Sequence, residues 1–287
     1  MVKHRCECRA IQRLIDVLEI VKRVVTRFQV VIMFARTRAI WLCGFFTPIF
    51  DPLRAVRGLF AYPRYILDWF HYTRVQETAQ LCFRDAYPQL HDRTSRTVID
   101  PHYFYTNGWA MRRIVAQRPA QHVDIASQTM FANLLSAVLP VTFVDYRPLE
   151  ARMEGLTNRS GDILNLPLDN GSVESLSCLH VAEHIGLGRY GDPLNPYGTR
   201  LACNELQRVL AAGGNLYIAL PIGKARVCFN AHRIHAAITI VEYFSGLDLV
   251  EYSGVHDDGR YVEKANIDEF VDSKYACGMF WFRKPRE

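Results

Sequence analysis

The sequence predicts an α/β fold, a mostly parallel sheet with helices on both faces, and three observations carry that prediction. Between residues 121 and 221, short apolar runs alternate with segments of helical periodicity: QHVDIAS, FANLLS, PVTFVD, SVESLSCLHV, ELQRVL and GNLYIALP. QHVDIAS contains Asp124 and PVTFVD closes on Asp145, at the strand ends where open sheets bind their ligands. A final pair, DLVEYSGVH and ACGMFWFRKP, is too closely spaced for a long crossover and predicts a strand with an antiparallel return at the sheet edge.

Taken in order, residues 94 to 119 read as a connector in which the Asp and Pro of VIDPHYFYTNGW mark a turn, followed by a helix from Trp109 to Val115. Strands are expected near 121–126, 141–145, 174–180, 214–221, 247–254 and 276–283, with helices in the intervals. The helix around Tyr197 to Ala211 has the clearest stripe, Leu201, Ala202, Leu206, Val209 and Leu210, and Gly213 with Gly214 is expected to end it.

The chain has 287 residues, 49% of them apolar and 22% charged, which excludes wholesale disorder and allows one full-sized core with an appendage. The appendage is expected at residues 1–97 and the α/β domain at 98–287. Residues 1 to 75 hold 13 Lys and Arg against 5 Asp and Glu, so the net charge of +5 belongs to the amino-terminal piece. Over residues 9 to 42, Ile11, Leu14, Ile15, Leu18, Val21, Val25, Phe28 and Ile32 share one helical face opposite Arg13, Lys22, Arg23 and Arg27. The uncharged stretch AIWLCGFFTPIF that follows is shorter than the about 20 residues needed to span a bilayer. Trp41, Phe45, Phe46, Phe60, Tyr65 and Trp69 alternate with basic residues, and two readings stay open: a helical cap on the α/β domain, or a surface for an anionic membrane. No nucleic-acid recognition motif is present, and no nucleic-acid partner is expected.

Eight cysteines, at 6, 8, 43, 82, 178, 203, 228 and 277, lack the density of a stapled secreted domain and any repeated zinc-like spacing. They read as reduced thiols of a cytoplasmic protein, peripheral at a membrane if the basic region binds one. No cleavable signal is expected, because Arg9, Arg13, Asp16 and Glu19 interrupt the apolar residues after Met1.

Asp145 closing the second strand, Asp162 followed by LNLPLDNGSVE, and RVLAAGG before GNLYIALP together resemble the class I S-adenosylmethionine-dependent methyltransferases over residues 119 to 284. More narrowly, LHVAEHIGLGRYGDPLNPYG and FNAHRI resemble domain of unknown function 268. The resemblance implies a Rossmann-like class I methyltransferase fold: a mostly parallel seven-stranded sheet with an antiparallel edge strand, here with a helical region before it. It implies S-adenosylmethionine as cofactor, with Asp124 and the loop from Ala126 and Ser127 beside it. Asp145 would receive the ribose hydroxyls, Asp162 and Ile163 would flank the adenine, and His180 would complete the wall. The family's Gly-x-Gly-x-Gly loop is replaced by Ala126, Gln128 and Met130, and the latter two are expected to bring side chains into cofactor space.

The segment after the fourth strand carries His180, Glu183, His184, Arg189, Tyr190 and Asp192, and FNAHRIH supplies Asn230, His232 and Arg233 on the same rim. His184 and His232 are candidate general bases, since imidazole takes a proton near neutral pH. Glu183, Arg189, Tyr190, Asp192 and Asn230 are candidate acceptor contacts, and Arg233 a bidentate grip on an anionic group. On a helix, the adjacent Glu183 and His184 would point apart, whereas His180 and His184, four apart, would share a face. No third ligand completes that pair, so no metal is expected. The expected activity is O-methylation of a sugar, on a glycan or lipid-linked acceptor. The alternative is a catalytically silent module of the same fold, serving as a scaffold at a membrane surface.

Overall fold

The run LAAGGNLYIALPI sorts its side chains alternately to two faces. Leu216, Ile218, Leu220 and Ile222 enter one buried cluster, and Tyr217 and Ala219 enter another, as the two-residue period of a strand requires. The structure, a computed structural model, describes residues 51–75, 81–147 and 149–286. The helix expected over 9 to 42, the uncharged stretch after it, and Cys6, Cys8 and Cys43 lie outside the described residues. The chain divides into two units, Met1–Val98 and Ile99–Glu287.

In the first unit, helix α1 (Pro52–Val75) carries the exposed apolar side chains Leu59, Phe60, Leu67 and Phe70. Tyr65 and Trp69 pack one turn apart on it, ring centroids 6.2 Å from each other. Among the described residues no helix is long and apolar enough to cross a membrane.

The second unit opens on α2 (Pro101–Gln117), which starts well before the expected Trp109. The residues read as a turn are its start signal. Asp100 is the N-cap, its carboxylate accepting from His102 N at 2.9 Å and Tyr103 N at 3.4 Å, and Pro101 takes the first helical position, where no N–H is needed. Strand β1 (His122–Ile125), α3 (Thr129–Ser136), β2 (Val141–Asp145), β3 (Leu156–Ser160) and β4 (Val173–Leu179) follow, then a 3-10 turn at Ala182–His184. Beyond it come α4 (Gly198–Val209), β5 (Leu210–Ile222), a hairpin of β6 (Arg226–Cys228) and β7 (His232–Ile234), α5 (Ala237–Tyr243), β8 (Asp248–Val255), β9 (Tyr261–Val262) and β10 (Ala276–Arg283).

The main sheet runs β3-β2-β1-β4-β5-β10-β8-β9. Its first five strands are parallel, and β10 pairs antiparallel with both β5 and β8. The return strand therefore lies one place further in than expected, and the two-residue β9, antiparallel to β8, is the edge and the eighth strand. The glycines expected to cap α4 act inside β5, which begins directly after the helix. Gly213 takes φ 77° next to the register shift against β4 between Val173 and Ser175, a bulge geometry that glycine enters at least cost.

Helices α4 and α5 bury Ala202, Leu206 and Ile240, with Phe244 just after α5, against one face of the sheet; α2 and α3 bury Trp109, Ile114, Phe131 and Leu135 against the other. Each large apolar side chain so buried contributes about 1.5–3 kcal/mol. With both faces covered, the carboxyl ends of the parallel strands are left to hold a site.

Candidate functional site

Strand order reverses at β1, whose neighbours are β2 on one side and β4 on the other, and such a switch point opens a crevice at the carboxyl ends. A cavity of about 300 Å³ lies there, at the lower end of the range of ligand pockets, about 300–1,000 Å³. Ile125 and Ala126 line it after β1, Asp145 and Arg147 after β2, Asp162 and Ile163 after β3, and His180, His184, Tyr190 and Asp192 after β4.

Past Ala126, the loop after β1 carries its side chains away from this space. Ala126 sits at φ 50°, in the left-handed region, with its N–H donating to Val144 O at 2.9 Å. Gln128 precedes α3 and its Oε1 accepts from Asn107 Nδ2 at 2.8 Å, while Met130 is 61% exposed. Neither Gln128 nor Met130 borders the cavity, contrary to the expectation that both would enter it.

Asp124 and Ser127, expected beside the cofactor, face inward. Asp124 is fully buried and accepts from Ser127 N at 3.1 Å, Ser127 Oγ at 2.7 Å and Ser177 Oγ. Ser127 Oγ in turn accepts from Leu179 N at 3.0 Å, so the pair ties the β1 loop to β4. Burial raises the Asp124 carboxyl to about 6, against the hydrogen bonds from Ser177 and Ser127. The same network reaches His122, whose ring nitrogens lie 2.7 Å from Ser175 Oγ and 2.8 Å from Ser177 Oγ, and burial lowers that imidazole to about 3.

Asp145 and Asp162 stand on the cavity wall. Asp145 Oδ1 accepts from Arg147 N at 2.8 Å, with Arg147 Nε 3.9 Å away, and Asp162 Oδ1 accepts from Leu164 N at 2.9 Å. Each is held by a local turn of its own backbone.

Beyond β4 the chain turns sharply. His180 takes φ 58° and donates its N–H to Ala219 O at 2.8 Å. The segment then forms a 3-10 turn, so His180 and His184 do not share a helical face and Glu183 does not diverge from His184. Glu183, 1% exposed, has Oε1 3.4 Å from His180 Nδ1 and 3.7 Å from His184 Nε2. Burial acts to raise its pKa, but the hydrogen bond and charge of His180 and the charge of His184 outweigh it and hold the carboxyl below its ordinary value. Burial also disfavours charged His180, yet Cys277 and Glu183 outweigh that penalty and its pKa is raised. His184 Nδ1 lies 2.6 Å from Ala231 O, and because a carbonyl only accepts, Nδ1 carries the proton.

His232 comes near His184, ring centroids 6.5 Å apart, and packs on Tyr275 at 5.0 Å, but it does not border the cavity. Burial, with His184 and Arg189 adding to it, lowers its pKa. Arg233 is a clamp and not an anion grip: 5% exposed, it donates to Ile185 O at 2.5 Å and Asn195 O at 2.8 Å, closing the loop between them. Asp192 borders the cavity, yet its carboxylate accepts from Gly186 N at 2.6 Å and Tyr190 N at 3.2 Å within that loop. Asn230, at φ 61°, turns the β6–β7 hairpin with Nδ2 3.5 Å from Leu187 O. Tyr190 is 41% exposed between two guanidiniums, Arg147 at 4.7 Å and Arg189 at 5.1 Å from its ring centre. Glu183, Arg189, Asn230, His232 and Arg233 thus surround the cavity without lining it.

Residues 170–284 match the family described as Caenorhabditis protein of unknown function, DUF268. Among solved structures, the [4+2]-cyclase SpnF is similar at 12% identity and TM-score 0.50, over 68% of this chain and 86% of that one. The N-methyltransferase NodS from Bradyrhizobium japonicum WM9, in complex with S-adenosyl-L-homocysteine, is similar at 16% identity and TM-score 0.48, over 65% and 89%. The putative methyltransferase bound to the Haloferax volcanii Trm112 activator is similar at 15% and 0.47, over 65% and 91%. The fold is the class I methyltransferase fold. No curated protein matches the sequence. Function has to be argued from the site, because one such fold carries many chemistries.

Within this methyltransferase fold the structure adds residues that sequence reasoning missed. Arg147 borders the cavity, and around His180 stand His102 and Tyr103 from α2 and Cys277 from β10. No spacing signal marks the second group: Cys277 lies 97 residues from His180, and His102 falls in a segment read as a turn.

Proposed function

We propose that this chain is an S-adenosylmethionine-dependent methyltransferase. The observation that carries the reading is the cavity at the strand switch point, with Asp145 and Asp162 on its wall and His184 beside them. The residues fit the cofactor, since Gln128 and Met130 stay out of that space and only the small Ala126 faces it from the substituted loop. Asp145 receives the ribose hydroxyls, two donors that one carboxylate accepts together. Asp162 takes the exocyclic amine of the adenine and Ile163 packs on its ring. The cofactor supplies a methyl group on a sulfonium, whose in-line displacement is accelerated mainly by alignment with the acceptor.

The acceptor we assign is a sugar hydroxyl of a glycan or lipid-linked sugar. Tyr190, exposed at the rim between Arg147 and Arg189, supports this, as an aromatic face suits a sugar ring and guanidiniums suit its hydroxyls or an anionic substituent. His184 takes the hydroxyl proton: with Nδ1–H directed at Ala231 O, the lone pair is on Nε2, and Glu183 stabilises the imidazolium formed. His232 is the second candidate base, one ring further from the cavity. The basic region of residues 1–75 supports a place at an anionic membrane, where lipid-linked acceptors reside. Its removal should release the protein from anionic vesicles. One observation favours the silent module instead, the left-handed backbone at Ala126 where the family's loop has glycine. Incubation with methyl-labelled S-adenosylmethionine and free or lipid-linked oligosaccharides separates the two. Label on a sugar oxygen, lost in Asp145→Ala, supports the enzyme, and no label on any sugar contradicts the acceptor assignment.

A further inference from the structure

His180 belongs to a second constellation besides the cavity wall. His102 from α2, His180 after β4 and Cys277 from β10 each offer one ligand atom within 4.8 Å of the other two. His180 Nε2 lies 3.5 Å from Cys277 Sγ, and the His102 ring stacks on the His180 ring with centroids 5.8 Å apart. We propose that His102, His180 and Cys277 form a binding site for one divalent zinc-like ion.

The donor chemistry comes first. Two imidazoles and a thiolate suit a borderline-soft divalent ion, and three protein ligands leave a fourth position for water. The spacing agrees. With metal–sulfur and metal–nitrogen bonds of about 2.3 and 2.0–2.1 Å, the nitrogen–sulfur edge of a tetrahedral site is about 3.6 Å, against the 3.5 Å found between His180 and Cys277. Hydrogen bonding leaves one contact of the cluster long: Thr106 Oγ1 lies 3.4 Å from His180 Nε2, where a good bond between nitrogen and oxygen is about 2.9–3.0 Å.

The surroundings of His180 are those of a metal ligand. Its Nδ1 faces the Glu183 carboxylate at 3.4 Å, which directs Nε2 to the cluster, and ligating histidines almost always have such a partner on the other nitrogen. Glu183 Oε2 is buried with no hydrogen-bond partner among the described residues, a negative oxygen that a nearby cation compensates. His180 is also held at φ 58°, a strained backbone for a residue with a side chain, and strain of this kind collects at ligand clamps. As the ion binds, the Cys277 thiol and the Nε2–H of His180 each give up a proton to solvent, and His180 keeps Nδ1–H toward Glu183. Sequence spacing pointed at His180 with His184 and so at no site; the partners come instead from the two ends of the domain.

The proposal stands apart from the methyltransferase reading, because metal content is measured without cofactor or acceptor. The full chain, freed of metal, is titrated with Zn²⁺ against a chromophoric chelator and separately with Co²⁺. One ion per chain is expected, with the sulfur-to-cobalt charge-transfer band and the intense visible bands of a four-coordinate site. Cys277→Ser should abolish the charge-transfer band and weaken Zn²⁺ binding at least about 100-fold, and Glu183→Gln should weaken it by about 10–100-fold. His102→Ala, at a half-buried position, should weaken binding similarly with little change in the melting curve of the metal-free chain, which covers the case in which Cys277→Ser fails to fold. Cys6→Ser with Cys8→Ser should bind as the native chain does. No bound ion, binding that follows Cys6 and Cys8, or binding unchanged in both His102→Ala and Cys277→Ser overturns the proposal.

Discussion

The Ala126 N–H donates to the Val144 carbonyl across 2.9 Å, and that bond belongs to a loop in which an alanine is held at φ 50°. A Cβ in the left-handed region costs about 1–2 kcal/mol, while glycine costs about 0.4–1 kcal/mol through the freer unfolded chain. Ala126→Gly is therefore expected to leave stability unchanged or raise it by up to about 1 kcal/mol. Ala126→Val, β-branched at the same φ, should lower it by more than 1 kcal/mol, on the order of what strained positions cost. Urea unfolding of the two variants checks both signs.

Asp124 is the hub of the loop's anchoring. Its truncation to alanine removes the acceptor for Ser127 N, Ser127 Oγ and Ser177 Oγ inside the protein, and each buried donor left without a partner costs about 1–3 kcal/mol. The expected loss for Asp124→Ala is about 3 kcal/mol or more. Asp124→Asn should lose less, because its amide oxygen still accepts from Ser127 N and the hydroxyls can rotate to accept from its NH₂. Equal losses in chemical denaturation would contradict this account of the network.

Acid should destabilise the fold through its buried imidazoles. Burial lowers His122 from its ordinary 6.5 to about 3 and, with Arg233 adding to it, His235 to about 4. For each, the unfolded chain binds a proton the native chain refuses, so stability present above pH 6.5 is lost as the pH falls through that window, by about 1.4 kcal/mol per pH unit and proton. Asp124, raised to about 6, has the opposite sign between its ordinary 3.8 and 6, one proton against two. The net prediction is a falling urea midpoint from pH 6.5 to 5, with a shallower slope in His122→Gln. An unchanged slope would contradict it.

The two candidate bases should separate by activity. His184 borders the cavity and is oriented by Ala231 O and Glu183, whereas His232 stands behind it. General-base catalysis contributes about 10²–10⁴-fold, so His184→Ala should lower kcat by at least about 100-fold while His232→Ala costs under about 10-fold. Both variants should still bind the cofactor, measured by calorimetry. A larger loss in His232→Ala would reverse the assignment.

Much of this fold is legible in the sequence because its central strands are apolar runs with covered faces. β3 is not, since LTNRS is partly exposed and has no apolar run to mark it. The start of α2 is missed because Asp-Pro signals a turn and a helix N-terminus alike, and only the bonds from His102 N and Tyr103 N to Asp100 decide between them. Of the site, Asp145, Asp162, Ile163 and His184 border the cavity, and their positions at or shortly after the ends of parallel strands are what a sequence displays. The inward turn of Asp124 and the clamp made by Arg233 depend on which long-range partner each side chain finds, Ser177 in one case and Ile185 with Asn195 in the other. Local pattern holds no record of those contacts.

The central claim, that a cavity walled by Asp145 and Asp162 holds S-adenosylmethionine despite the substituted loop, is tested most directly by calorimetric titration. The full chain is titrated with S-adenosylmethionine and with S-adenosylhomocysteine, beside Asp145→Ala. The account predicts dissociation constants on the order of micromolar for both ligands, about −8 kcal/mol, and at least about 100-fold weaker binding in the variant, about 2.7 kcal/mol. No heat from folded native protein, or equal binding by Asp145→Ala, would contradict it.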